Sequence, residues 1–89
     1  MTKRDLLELI KNGENSCVEF KRDTVQNFDL AKELVAFTNS DGGRVLLGVD
    51  DDGSVSGVTR GDLEEWIMTA CRTKIRPEII PYFEIVRDI

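Results

Sequence analysis

Three groups of residues in this chain have types and spacings that can do chemistry. The first is the consecutive run Asp50, Asp51 and Asp52 before Gly53. Carboxylate oxygens are hard donors, and a run of them before a glycine invites a calcium reading. The same run also suits a polar hairpin turn. It does not make an EF-hand, because counting from Asp50 puts Ser54 at position 5 and Gly61 at position 12, where that loop requires Glu. The second group is Gly42-Gly43. A P-loop needs G-x-x-x-x-G-K-[ST] after a strand, whereas these glycines precede an apolar run and no Lys-Ser/Thr follows. They read as a tight turn, and ATP is not expected. The third group is basic: Lys21, Arg22, Arg44, Arg72, Lys74 and Arg76. Brought onto one face, these six would contact phosphates, which position a nucleic acid without reading its sequence. Left apart, they are solvated surface, and the last three also suit a helix C-terminus through the macrodipole.

Composition narrows the chemistry. The chain has no histidine, so a His-based triad, a His general base and most zinc chemistry are excluded. Cys17 and Cys71 stand far apart with no C-x-x-C pair, which supports neither a disulfide framework nor a zinc site. The net charge of −5 counts against strong autonomous nucleic-acid binding, since counterion release drives that affinity. Binding through six cations on this background is expected to be weak and salt-sensitive, or to need a homodimer. The longest near-apolar stretch, Arg44 to Val49, is too short to span a bilayer, and no apolar core follows the basic N-terminus. A cytoplasmic protein with no membrane partner is the expectation. Eighty-nine residues form one domain, 1–89.

The elements that must position these groups follow from periodicity. Residues 3–11 predict a helix with the apolar stripe Leu6, Leu7, Leu9 and Ile10, opened by Thr2 and Asp5 in capping-box spacing and stopped by Gly13. Residues 17–21 alternate as a strand. A second helix over 28–38, capped by Asn27 or Asp29, runs into Asn39-Ser-Asp-Gly-Gly43. Val45 to Val49 then predict a central strand buried on both faces, joined at Asp52-Gly53 to a hairpin partner over 54–58. Thr59-x-x-Asp62 predicts the cap of a third helix, 61–74, with Trp66 on its apolar stripe. Pro77 closes it, and 79–86 predicts a last strand with Tyr82 and Phe83 on opposite faces. The fold class is α+β in the order αβαββαβ, a mixed sheet around the 44–49 strand with helices packed on it. Ile89 follows the last strand almost directly, which points to a fragment of a longer protein or to a sheet edge completed by a partner.

The series Gly13-Glu14, Val18-Glu19-Phe20-Lys21, Ala36-Phe37-Thr38-Asn39-Ser40-Asp41-Gly42-Gly43, Leu47-Gly48-Val49-Asp50-Asp51-Asp52-Gly53 and Gly57-Val58 resembles the Schlafen-type, Alba-like DNA-binding domain. Each motif is weak alone; in this order they are specific, and the resemblance spans 6–80. An older description calls it a divergent AAA-type ATP-binding domain, which the glycines here do not support. The resemblance implies contact with DNA or RNA and a role in prokaryotic transcriptional regulators, whose whole members usually carry a C-terminal winged-helix region. It also implies an alternative. Some members cut structured RNA with a metal-bound trio of two glutamates five residues apart and a later aspartate. Glu14 and Glu19 match that spacing, and Asp50 or Asp51 supplies the third position. Without a metal, Glu19 would pair with Lys21, Lys32 or Arg44. The leading expectation is a nucleic-acid-binding module without cofactor. The others are an Mg2+- or Mn2+-dependent ribonuclease and a protein-interaction domain that keeps only the fold.

Overall fold

A computed structural model describes residues 1–76 and 79–87. The described elements run α1 (Lys3–Asn12), β1 (Val18–Lys21), α2 (Asn27–Thr38), β2 (Arg44–Leu47) and α3 (Leu63–Thr73). The protein is α+β. α1 begins on the expected capping box: the Thr2 hydroxyl accepts from the Asp5 amide, and the Asp5 carboxylate accepts from the Thr2 amide. Gly13, at φ 81°, closes it.

β1 and β2 pair in parallel with Val18 opposite Arg44 and Lys21 opposite Leu47. Parallel neighbours need a crossover, and α2 supplies it. Both faces of the two-stranded sheet are covered. On one, Val18, Phe20, Leu46 and Val49 are buried under Leu6, Leu9 and Ile10 of α1. On the other, Val45 and Leu47 pack against a cluster of Leu30, Ala31, Ile67, Cys71 and Ile75 from α2, α3 and the turn after it. The Gly42-Gly43 turn serves this packing. Gly42 has φ 91° and donates to the Phe37 carbonyl, and a Cβ on Gly43 would lie 2.4 Å from the Phe37 ring.

Five expectations are corrected. Among the described residues the sheet is parallel and two-stranded, not mixed about a central strand. β2 stops at Leu47 because Gly48 turns at φ 89°, where a Cβ would meet the Gly57 backbone at 2.8 Å. The hairpin turn forms, with the Asp50 amide on the Ser54 carbonyl at 2.8 Å, but the 54–58 strand shrinks to one bridge, Val49 to Val55. Gly48 is the reason, since its carbonyl takes both the Ser56 and Gly57 amides and ends the ladder. α2 and α3 start without the expected side-chain caps; their N-caps are Gln26 and Asp62, and neither side chain makes a capping bond. The Thr59 hydroxyl donates instead to Asp23, 36 residues away. Finally, 79–87 forms no strand, although its exposure alternates as a strand's would. Tyr82 is exposed and Phe83 half-buried. The Pro77 stop lies outside the described residues. No helix among the described residues is long and apolar enough to cross a membrane.

Candidate nucleic-acid interface and acidic rim

β1 ends in Lys21 and runs directly into Arg22 and Asp23, so the C-terminal end of the sheet is crowded with charge. The Gly48 turn brings the 50–53 loop to the same end. There Arg22 grips Asp50 through two contacts, Nε to Oδ1 at 3.0 Å and Nη2 donating to Oδ2 at 3.1 Å. Such a side-on pair fixes geometry more than it adds stability when the cation is exposed, as Arg22 is. Asp51 is exposed. The Asp52 carboxylate accepts from the Ser54 amide at 2.8 Å, and the Ser54 bonds hold it below its ordinary range.

Glu14 and Glu19 flank the start of β1. Glu14 Oε1 accepts the Phe20 amide at 2.8 Å, which fixes the chain before the strand. Glu19 shares a sheet face with Val45 and Leu47, turned towards α2. Lys21 Nζ lies 3.7 Å from Glu19 and 3.8 Å from Glu33 of α2. Of the three cations expected to compete for Glu19, it is therefore Lys21 that pairs with it. Burial first, then the charges of Glu14 and Glu33, push the Glu19 carboxyl up, and Lys21 opposes them. Asp50 is engaged by Arg22. Among the described residues, no three Asp, Glu, Cys or His side chains assemble into a group able to hold a metal ion.

A third knot at this end was not foreseen. Asp23 Oδ2 accepts both the Thr59 amide at 2.9 Å and the Thr59 hydroxyl at 3.0 Å, and these bonds, the amide first, hold Asp23 below its ordinary range. Arg60 Nε stands 3.7 Å from Asp23 Oδ1, and its guanidinium lies 4.1 Å over the Trp66 ring. Trp66 is thus a half-buried cation–π partner at the edge of the α2–α3 cluster. Two guanidinium nitrogens of Arg60, Nε and Nη1, are buried with no hydrogen-bond acceptor among the described residues, and the ring and the nearby carboxylate compensate them in part. Asp23 and Arg60 carry no local motif, because their partners are distant in sequence.

The other basic residues lie elsewhere. Arg44 opens β2, at the opposite end of the sheet from Lys21; three strand residues separate the two ends, about 10 Å. α3 begins beside the Thr59–Asp23 knot, and its 11 residues, about 16 Å of helix, carry Arg72, Lys74 and Arg76 away from it. Arg72 and Lys74 are exposed and, like Arg44, make no ion pair among the described residues. Arg76 Nη1 donates to the Arg72 carbonyl at 3.0 Å, holding the end of α3. The structure therefore separates the six cations: Lys21 and Arg22 are engaged by carboxylates, Arg76 caps a helix, and Arg44, Arg72 and Lys74 face solvent.

No curated protein and no solved structure matches this chain. The family model described as Schlafen, AlbA_2 matches residues 14–87, which takes in β1, α2, β2, the acidic loop and α3. The chain belongs to the Schlafen AlbA_2 family.

Proposed function

We propose that this domain binds nucleic acid by phosphate contact, as the DNA-binding part of a transcriptional regulator, with Arg72 and Lys74 as its main contacts and Arg44 and Arg76 beside them. The observation that carries this reading is the concentration of cations at the end of α3 that have no carboxylate partner among the described residues, whereas Lys21, Arg22 and Arg60 at the C-terminal end of the sheet each stand within 4 Å of one. Lys21 and Arg22 then serve folding more than binding. Three or four phosphate contacts give weak affinity that falls steeply with salt, and a homodimer would double them. Fluorescence anisotropy with labelled duplex DNA and with structured RNA, from low salt upwards, tests this. Saturable binding that weakens along a log–log salt slope supports the reading. No binding to either at the lowest salt removes it.

The ribonuclease alternative draws on one feature, the crowding of Glu14 and Glu33 against Glu19. Mg2+ or Mn2+ would relieve that crowding, with Glu14, Glu19 and Asp50 or Asp51 as ligands. It requires Asp50 to leave Arg22, or Asp51 to turn inward. Metal-dependent cleavage of structured RNA that Glu19→Gln abolishes would establish it. Absence of cleavage with either ion would dismiss it.

A further inference from the structure

The fold uses α3 on one side only. Ile67 and Cys71 are buried against Leu30 and Ala31 of α2. Glu65, Met68, Thr69 and Arg72 follow one another at the i, i+3, i+4, i+7 spacing of a single outward stripe. Glu65 and Arg72 are exposed, and Met68 and Thr69 between them are half-buried. The two charges stand about two turns apart, roughly 10.5 Å, too far to meet within the helix. Asp62 and Glu64 extend the acidic end and Lys74 the basic end. None of these five charged residues makes an ion pair among the described residues.

The helix dipole accounts for the signs of these charges. It does not account for the shape beside them. A shallow hollow of about 440 Å³ lies at the acidic end, lined by Gly61, Asp62, Glu64, Glu65 and Met68. Three carboxylates beside a thioether suit a guanidinium on its methylene stem, with the head on the oxygens and the stem on Met68. Arg60, the cation next to the hollow in sequence, is turned instead onto Asp23 and the Trp66 ring.

We propose that two copies of this chain pair through α3, antiparallel about a twofold axis between Met68 and Thr69. An interface of that symmetry has to be self-complementary. The stripe meets this condition, because Glu65 and Arg72 lie equally far from its midpoint and carry opposite charge. Each copy's Arg72 enters the other's acidic hollow opposite Glu65, with Lys74 towards Asp62 and Glu64, and the two Met68 side chains cover the axis. Helices of about 16 Å bury less than a standard interface, so the dimer is weak and forms with rising concentration. The charge of −5 on each copy opposes approach from afar, but about 0.15 M salt screens it beyond roughly 8 Å. Arg72 and Lys74 are also the proposed phosphate contacts, so this pairing turns them inward, and a second copy competes with nucleic acid for them. The pairing itself does not depend on nucleic-acid binding and is tested without it.

Sedimentation velocity on the intact chain, from micromolar to about 1 mM in about 0.15 M salt, tests this. A reversible monomer–dimer equilibrium is expected. Glu65→Arg and Arg72→Glu each set like charges together twice and should each weaken it about tenfold or more. Mixing the two variants should restore association as a heterodimer, in which both contacts are again opposite in sign. Lys3→Glu, on α1 across the sheet, makes the same change in net charge as Arg72→Glu and should leave the dimer intact. Slow exchange of the Arg44 and Gly48 amides, bonded to β1, reports that each variant is folded. Three results would overturn the proposal: a parent chain that stays monomeric at about 1 mM; a dimer that either variant leaves unchanged; or variants whose mixture stays monomeric.

Discussion

The two ends of the sheet use charge in opposite ways. At the C-terminal end, Lys21, Arg22 and Arg60 each stand within 4 Å of a carboxylate: Glu19 and Glu33, Asp50, and Asp23. At the other end and along the last turn of α3, Arg44, Arg72 and Lys74 have no such partner among the described residues. A count of basic residues treats the six candidate cations as one set. Their surroundings make them two, one that joins loops to strands and one available to an anion from solution. Substitutions at the first end should therefore be read in stability, and at the second in binding.

The largest expected effect is at Asp23. Asp23→Ala strips the Thr59 amide and hydroxyl of their acceptor and leaves Arg60 facing a gap. Hydrogen bonds to a charged group contribute about 1.5–3 kcal/mol, so a loss of about 2 kcal/mol is expected. Urea unfolding should show a lower midpoint with an unchanged slope, and nucleic-acid affinity should be retained wherever the protein is folded. The pH dependence has a definite sign. Because the folded state depresses the Asp23 pKa below its ordinary 3.8, its stabilisation is present above that pH and is lost as pH falls through the depressed value. Asp23→Ala should lack this part of the acid limb.

Next in size is the double substitution Arg72→Ala, Lys74→Ala. Each phosphate contact contributes about 0.9 to the salt slope on duplex DNA, so the pair should flatten the slope by roughly 1.8. Its unfolding midpoint should stay near that of the parent, since exposed substitutions usually change stability by less than about 0.5 kcal/mol. A large fall in stability with an unchanged salt slope would erase the distinction between the two ends.

The same contrast explains what the sequence disclosed. α1, β1, α2 and β2 were legible because their signals are local: the Thr2–Asp5 box, the Val18/Phe20 alternation, the apolar spacing of 30–37 and the Gly42-Gly43 stop. The hairpin partner was over-read because Gly48 looks like an ordinary strand residue until Gly57 packs on its backbone. The 79–86 strand had the composition but not the pairing, which composition does not encode. Thr59 was read as a helix cap because its competitor, Asp23, is 36 residues away. Among the candidate site residues, cation identity was legible and cation availability was not, for whether an arginine is free depends on the carboxylates that tertiary structure brings to it.

A smaller effect probes one pair at the crowded end. Arg22 keeps about two-thirds of its side chain in water, so its coupling to Asp50 is screened. A double-mutant cycle with Arg22→Ala and Asp50→Asn should give a coupling below about 1 kcal/mol that shrinks with added salt. A coupling well above that would mean the acidic loop is a structural hub and not a rim.

The smallest effect, and the one with an unusual sign, is at Glu19. Burial and the neighbouring Glu14 and Glu33 raise its pKa above the ordinary 4.5, so ionised Glu19 costs the folded state something at neutral pH. As pH falls through the raised value the folded protein takes up the proton first, and that cost disappears. Glu19→Gln should therefore stabilise the protein at pH 7, by a few tenths of a kcal/mol for a partly exposed group, and the gain should vanish below about pH 4.5. Lys21 keeps Glu33 as a partner in the variant, which limits the loss on the cation's side. If Glu19→Gln destabilises at pH 7 instead, the Lys21 pair outweighs the crowding, and Glu19 belongs with Asp23 among the charges that hold the C-terminal end of the sheet together.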